Sequence, residues 1–134
     1  MTSSQPVATP NAVVFTPDNK RAYAYSGVQT LTGGAFRTQL DFETNSEYMI
    51  ASFQWSNTET NSTRDVYVDL IFNGVTVFSG RWENPNIVDK GANTIKLVVP
   101  PFTHVKGNQK NDGTTSGCMT MTAKVYGMAD IGYQ

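Results

Sequence analysis

Asp41 with Glu43, and Asp65 with Asp69, are the pairs in this 134-residue chain whose types and spacing could do chemistry. Each pair is an even number of residues apart within a strand-like run, which sets both carboxylates on one face. Two carboxylates flanking a scissile bond could serve as general acid and base, as in glycoside hydrolysis. Asp41, however, shares its face of "FRTQLDF" with Arg37, where solvated charges are expected, and no second feature supports a substrate site. The single histidine, His104, cannot complete a metal site alone. The single cysteine, Cys118, excludes an intramolecular disulfide framework and a cysteine zinc site. It sits in the strand-like run "CMTMTAKVY" and is expected as a small buried hydrophobe. Residues 108–112 carry oxygen donors without the charge density and spacing of a calcium loop. No nucleophile elbow, phosphate loop or zinc-protease helix motif occurs. The expectation is therefore no enzyme, and no catalytic, metal or cofactor residue. Trp55 and Trp82 could stack on sugar rings, but their apolar neighbours favour core or interface packing.

The elements around these residues are strands. Thr, Val, Tyr and Phe dominate the runs, which suits pleated, half-buried surfaces. "AYAYS" places Tyr23 and Tyr25 on one face. "FRTQLDF" alternates Phe36, Thr38, Leu40 and Phe42 against Arg37, Gln39 and Asp41. "EYMIASFQW" sets Met49, Ala51, Phe53 and Trp55 on one side, and Tyr48, Ile50, Ser52 and Gln54 on the other. "TIKLVV" ends at Pro100-Pro101, which cannot continue a central ladder. "GNQKNDGTTSG", residues 107–117, reads as a loop without apolar residues. In the last run, Met119, Met121, Ala123 and Val125 alternate inward with Thr120, Thr122 and Lys124 outward. No window carries a sustained helical period with caps. The fold class is all-β: a β-sandwich or jelly roll of about eight short antiparallel strands. Residues 1–11, with Pro6 and Pro10, read as an extended N-terminal arm, either a tail or a segment that orders against a partner. Residues 12–134 read as one sandwich domain, and 84–93 as a long connection that could cross between sheets.

Composition narrows the partners. Ten basic and eleven acidic residues leave a formal net charge of −1, so no basic field attracts nucleic acid or anionic lipid. No apolar run approaches the ~20 residues of a membrane span. The N-terminus lacks the basic region and apolar core of a signal peptide. Use in a reducing compartment, or release by lysis, is expected.

The hairpin "DVYVDLIFNGVTVFSGRW", residues 65–82, is the most legible element. Asn73-Gly74 is a type I′ turn signal, since both central positions need positive φ. A regular ladder from this turn pairs Phe72 with Val75, Leu70 with Val77 and Val68 with Ser79. One face then carries Val66, Val68, Leu70, Phe72, Val75 and Val77 and is the expected core face. The other carries Tyr67, Asp69, Ile71, Thr76, Phe78, Gly80 and Trp82. Such an aromatic, apolar surface marks a contact site, to be covered either by another part of this chain or by another chain. Asp69 in its middle would need a partner once buried.

A short chain opening at Met1, an extended Pro-containing arm, an all-β body rich in Thr, Asn, Gly and Val, few charges and an aromatic second face together resemble the β-sandwich decoration (cement) proteins of tailed bacteriophage capsids. The resemblance implies a virion structural protein on the capsid exterior, made in the host cytoplasm. It implies self-association, as a trimer for example, and bridging of shell subunits. The interface residues then expected are Tyr67, Asp69, Ile71, Phe78, Trp82, Pro6 and Pro10. A glycan- or receptor-binding fibre module, and a self-assembling coat protein with swapped arms, are the rival readings.

Overall fold

The computed structural model describes residues 12–15, 21–32, 34–58, 65–83 and 94–126, with backbone pairing alone for 12–15, 82 and 83. Among these residues every regular element is a strand: β1 (Ala12–Phe15), β2 (Arg21–Tyr25), β3 (Gln29–Leu31), β4 (Arg37–Glu43), β5 (Met49–Asn57), β6 (Asp65–Phe72), β7 (Val75–Glu83), β8 (Thr94–Val99), β9 (His104–Asn111) and β10 (Thr115–Val125). Ten strands stand where about eight were expected. One sheet has the order β1-β2-β10-β5-β8, with β3 also paired to β10; the other has the order β4-β9-β6-β7. All pairings are antiparallel.

The pairing is nested. β6 pairs with β7, β5 with β8, β4 with β9 and β2 with β10. The chain is thus one long hairpin ribbon, and its successive rungs alternate between the two sheets. That arrangement is a jelly roll. The tip of the ribbon is Asn73-Gly74, with φ of 52° and 83°, as a type I′ turn requires. β7 and β8 lie in different sheets, so the 84–93 connection joins one sheet to the other. The arm 1–11 lies outside the described residues.

Alternation explains the core. β5 buries Met49, Ala51, Phe53 and Trp55, and β10 buries Met119 and Met121. Across the sandwich they meet Leu40, Phe42, Val68, Leu70 and Val105. Gly107 lies between Leu40 and Leu70 in register, and a Cβ there would run into Met119 Sδ. The core depends on that missing side chain.

Three sequence expectations fail for identifiable reasons. Residues 107–117 form no long loop. They are the second half of β9, a short turn and the start of β10. The inward positions of that hairpin are polar: Gln109 and Asn111 are fully buried, and Gly107 and Gly117 are buried between them. Gln109 donates to Gln39 Oε1 at 2.8 Å and accepts from Asn57 Nδ2 at 2.8 Å, while Gln39 donates to the Gly117 carbonyl at 3.0 Å. A buried amide needs such partners, since each one unmet costs about 1–3 kcal/mol. A β-bulge between Thr38 and Leu40 breaks the clean alternation of β4 and turns Gln39 inward to complete this inter-sheet bridge. Cys118, opposite Ser56, is half-exposed on the outer side, its Sγ 3.0 Å from Ser56 Oγ.

Candidate interaction surfaces

A fourth failure concerns the expected contact face. The register from the turn runs Phe72–Val75, Ile71–Thr76, then Leu70–Phe78, so Val77 is an extra residue in a bulge. Beyond it the ladder pairs Asp69 with Ser79, Val68 with Gly80, Tyr67 with Arg81 and Val66 with Trp82. One inserted residue exchanges the two faces of a strand. Phe78 therefore packs toward the core, its ring centroid 5.8 Å from that of Trp55. Val75 and Val77, expected inside, are 64% and 42% exposed. The turn sets the register of only its own first two pairs.

Corrected in this way, the outer face of the four-stranded sheet is polar. Tyr67, Asp69 and Ile71 keep their outward, half-buried positions. Lys110 Nζ lies 4.3 Å from the Tyr67 ring centroid, and Arg81 caps the same ring at 5.7 Å. Arg81 also holds Asp65 through Nε and Nη2, at 3.1 and 2.7 Å from one carboxylate oxygen. Ser79 Oγ donates to Asp69 at 2.8 Å, answering the need foreseen for that carboxylate. His104 Nε2 lies 2.5 Å from Asp41 Oδ1. Three of the four carboxylates that could have done acid–base work, Asp41, Asp65 and Asp69, are thus bonded to neighbours on their own sheet, and Glu43 is exposed at the end of β4. Of the residues expected at an interface, Tyr67, Asp69 and Ile71 come together and Phe78 leaves. The side chain of Trp82, and Pro6 and Pro10, lie outside the described residues. Trp55 is buried and offers no sugar platform.

The outer face of the six-stranded sheet is different. Its cross-strand rows read Tyr25–Thr120–Gln54–Thr94, Tyr23–Thr122–Ser52–Lys96 and Arg21–Lys124–Ile50–Val98. Among the described residues these rows hold no carboxylate. Tyr23 and Tyr25 are 43% and 39% exposed and stack on each other at 5.4 Å between centroids. At the end of the sheet the Tyr126 amide donates to the Tyr48 carbonyl, and both rings are exposed. Four of the chain's six tyrosines thus lie on this sheet or at its end, in two separate pairs. The signal was present in "AYAY": Ala22 and Ala24 are the buried residues and the tyrosines point out, the reverse of what side-chain size alone would favour.

The end of the sandwich nearest the ribbon tip carries one further aromatic group. Phe102 is 73% exposed with φ of 51°, in the left-handed region that side chains rarely adopt. Its loop is braced: Thr44 Oγ1 donates to the Pro100 carbonyl at 2.8 Å and accepts from the Thr103 amide at 2.9 Å, and the Phe102 amide reaches the Asn45 carbonyl at 2.9 Å.

No protein family and no curated protein matches the chain. Solved structures do resemble it. The cupin domain of Schizosaccharomyces pombe Cnp3 is 14% identical, with 90% of this chain and 63% of that one covered, at a TM-score of 0.36. VP2 of infectious bursal disease virus, from its subviral particle, is 13% identical, with 88% and 33% covered, at 0.41. The C-terminal CBM6 of LamC from Zobellia galactanivorans is 11% identical, with 87% and 89% covered, at 0.34. The chain spans less than two thirds of the first two. At these values the likeness concerns the general β-sandwich layout and nothing finer.

Proposed function

We propose that this chain is a non-enzymatic structural virion protein, a decoration or cement protein that associates with itself and bridges subunits of a capsid shell. The observation that carries the reading is the asymmetry of the outer faces. On one face Asp65, Asp69 and Asp41 are bonded to Arg81, Ser79 and His104, and Tyr67 lies between two cations. The other offers tyrosines, hydroxyls and amides without a carboxylate. Interface cores favour aromatic residues and few charges, and Tyr with Ser-like partners gives contact area at low entropic cost. A two-layer body with an amide bridge between its sheets supplies rigidity, and many modest contacts multiplied by symmetry supply avidity. The fold is shared by capsid, lectin and cupin domains, so this part of the reading is analogy. The test is co-sedimentation with empty shells of the particle the chain is made with, followed by electron microscopy. Added density on the shell exterior and greater resistance to heat are expected; shells that gain neither overturn the reading.

A glycan-binding module is the second reading. The exposed Tyr23–Tyr25 stack beside Thr120 and Gln54 favours it, because such a surface suits a sugar ring and its hydroxyls. Micromolar binding on a glycan array, lost in Tyr25→Ser, would move the assignment there.

A further inference from the structure

We propose that the Tyr23/Tyr25 face is the seat for residues 1–11 of a second copy of this chain. The inference rests on the self-associating reading above and names its contact.

Three observations converge on that occupant. The first is where the segment leaves the body. Ala12, the first residue of edge strand β1, pairs with Tyr25, and Val14 pairs with Tyr23. The segment therefore departs beside the tyrosine pair. To cover the tyrosines of its own chain it would have to reverse at once. The second is length. Eleven residues in an extended or polyproline conformation span ~34–40 Å, whereas five strands cover only ~19 Å from first to last axis. The segment can leave one body and cross the face of another. The third is chemistry. "MTSSQPVATPN" has no charged side chain, and the centre of the face, Tyr23, Tyr25, Thr120, Thr122, Ser52 and Gln54, has none either. Proline-containing extended segments dock on exposed aromatic rings, where ring packing supplies affinity and neighbouring hydroxyls and amides bond the segment's backbone. Neither side then has to strip water from an ion.

The test uses the full chain and sedimentation equilibrium. Self-association should weaken about tenfold or more in Tyr23→Ser/Tyr25→Ser, the size expected of an aromatic anchor, and similarly in Pro6→Ser/Pro10→Ser. Combining the four changes should add little, since both pairs remove one contact. A synthetic peptide of residues 1–11 in excess should dissociate the wild-type assembly. Melting curves of each variant verify that the body remains folded. If the chain associates but neither pair matters, or their effects simply add, the seat is wrong while the self-associating reading stands. A chain that stays monomeric and ignores the peptide removes both. A crosslink from residue 6 to Tyr25 within a single monomer overturns the second copy as occupant.

Discussion

On the four-stranded sheet, Asp65 grips Arg81, Asp69 takes the Ser79 hydroxyl, Asp41 meets His104, and Tyr67 lies between two cations. On the six-stranded sheet, Tyr23 and Tyr25 touch each other, and the hydroxyls and amides around them face solvent without a carboxylate in their rows. The difference concerns what a partner would displace. Covering the first face means desolvating ions that already have their bonds, which returns little. Covering the second removes water from apolar rings and from neutral groups that a backbone can satisfy. The charged lattice is a finished surface; the tyrosine face is an unfinished one.

The largest test of this contrast is an insertion. One alanine between Phe78 and Ser79 would turn Ser79 and Arg81 inward and strip the lattice of two members. At least ~3 kcal/mol of stability should be lost in urea denaturation, because a polar and a charged group would enter the core. Deleting Val77 is the control. It removes the unpaired residue and leaves Phe78 opposite Leu70, so the faces should survive with a change below about 1.5 kcal/mol. A moderate effect is expected for Asp65→Ala, whose carboxylate is 16% exposed against 54% for Arg81. About 1 kcal/mol should be lost at low salt and less in molar salt, as for a partly solvated ion pair. The smallest effect belongs to Tyr25→Ser: less than ~1 kcal/mol in thermal melts, the range of cross-strand pair contributions. A loss above ~2 kcal/mol would mean that these rings complete the fold, and the contrast between finished and unfinished faces would fail.

Much of the fold was legible where apolar residues mark the period. β5, β6 and the later half of β10 alternate as read, and the Asn73-Gly74 turn has the φ values its residues imply. Legibility failed where the inward residues are polar. Gln109, Asn111 and Gly117 keep strict strand period, but the Gln109 amide bonds Gln39 and Asn57 and the Asn111 Nδ2 reaches the Asp65 carbonyl, all far along the chain, so little in the local sequence marks them as interior. It failed again at the two bulges. Val77 and Gln39 look like ordinary strand residues, and only the opposite strand reveals the extra position. The candidate surface suffered most. The alternation that put Phe78 beside Tyr67 was sound up to the bulge and inverted after it, whereas "AYAY" carried the better clue in its buried alanines.

The nested ribbon also determines how the molecule can be divided. Each sheet takes alternate rungs of one hairpin, so neither sheet is a contiguous stretch of chain. A cut anywhere between β2 and β10 leaves both sheets short of a strand or a rung. The tyrosine face and the charged lattice cannot be separated into fragments, inherited as modules or melted one at a time; the chain offers them to its surroundings together or not at all.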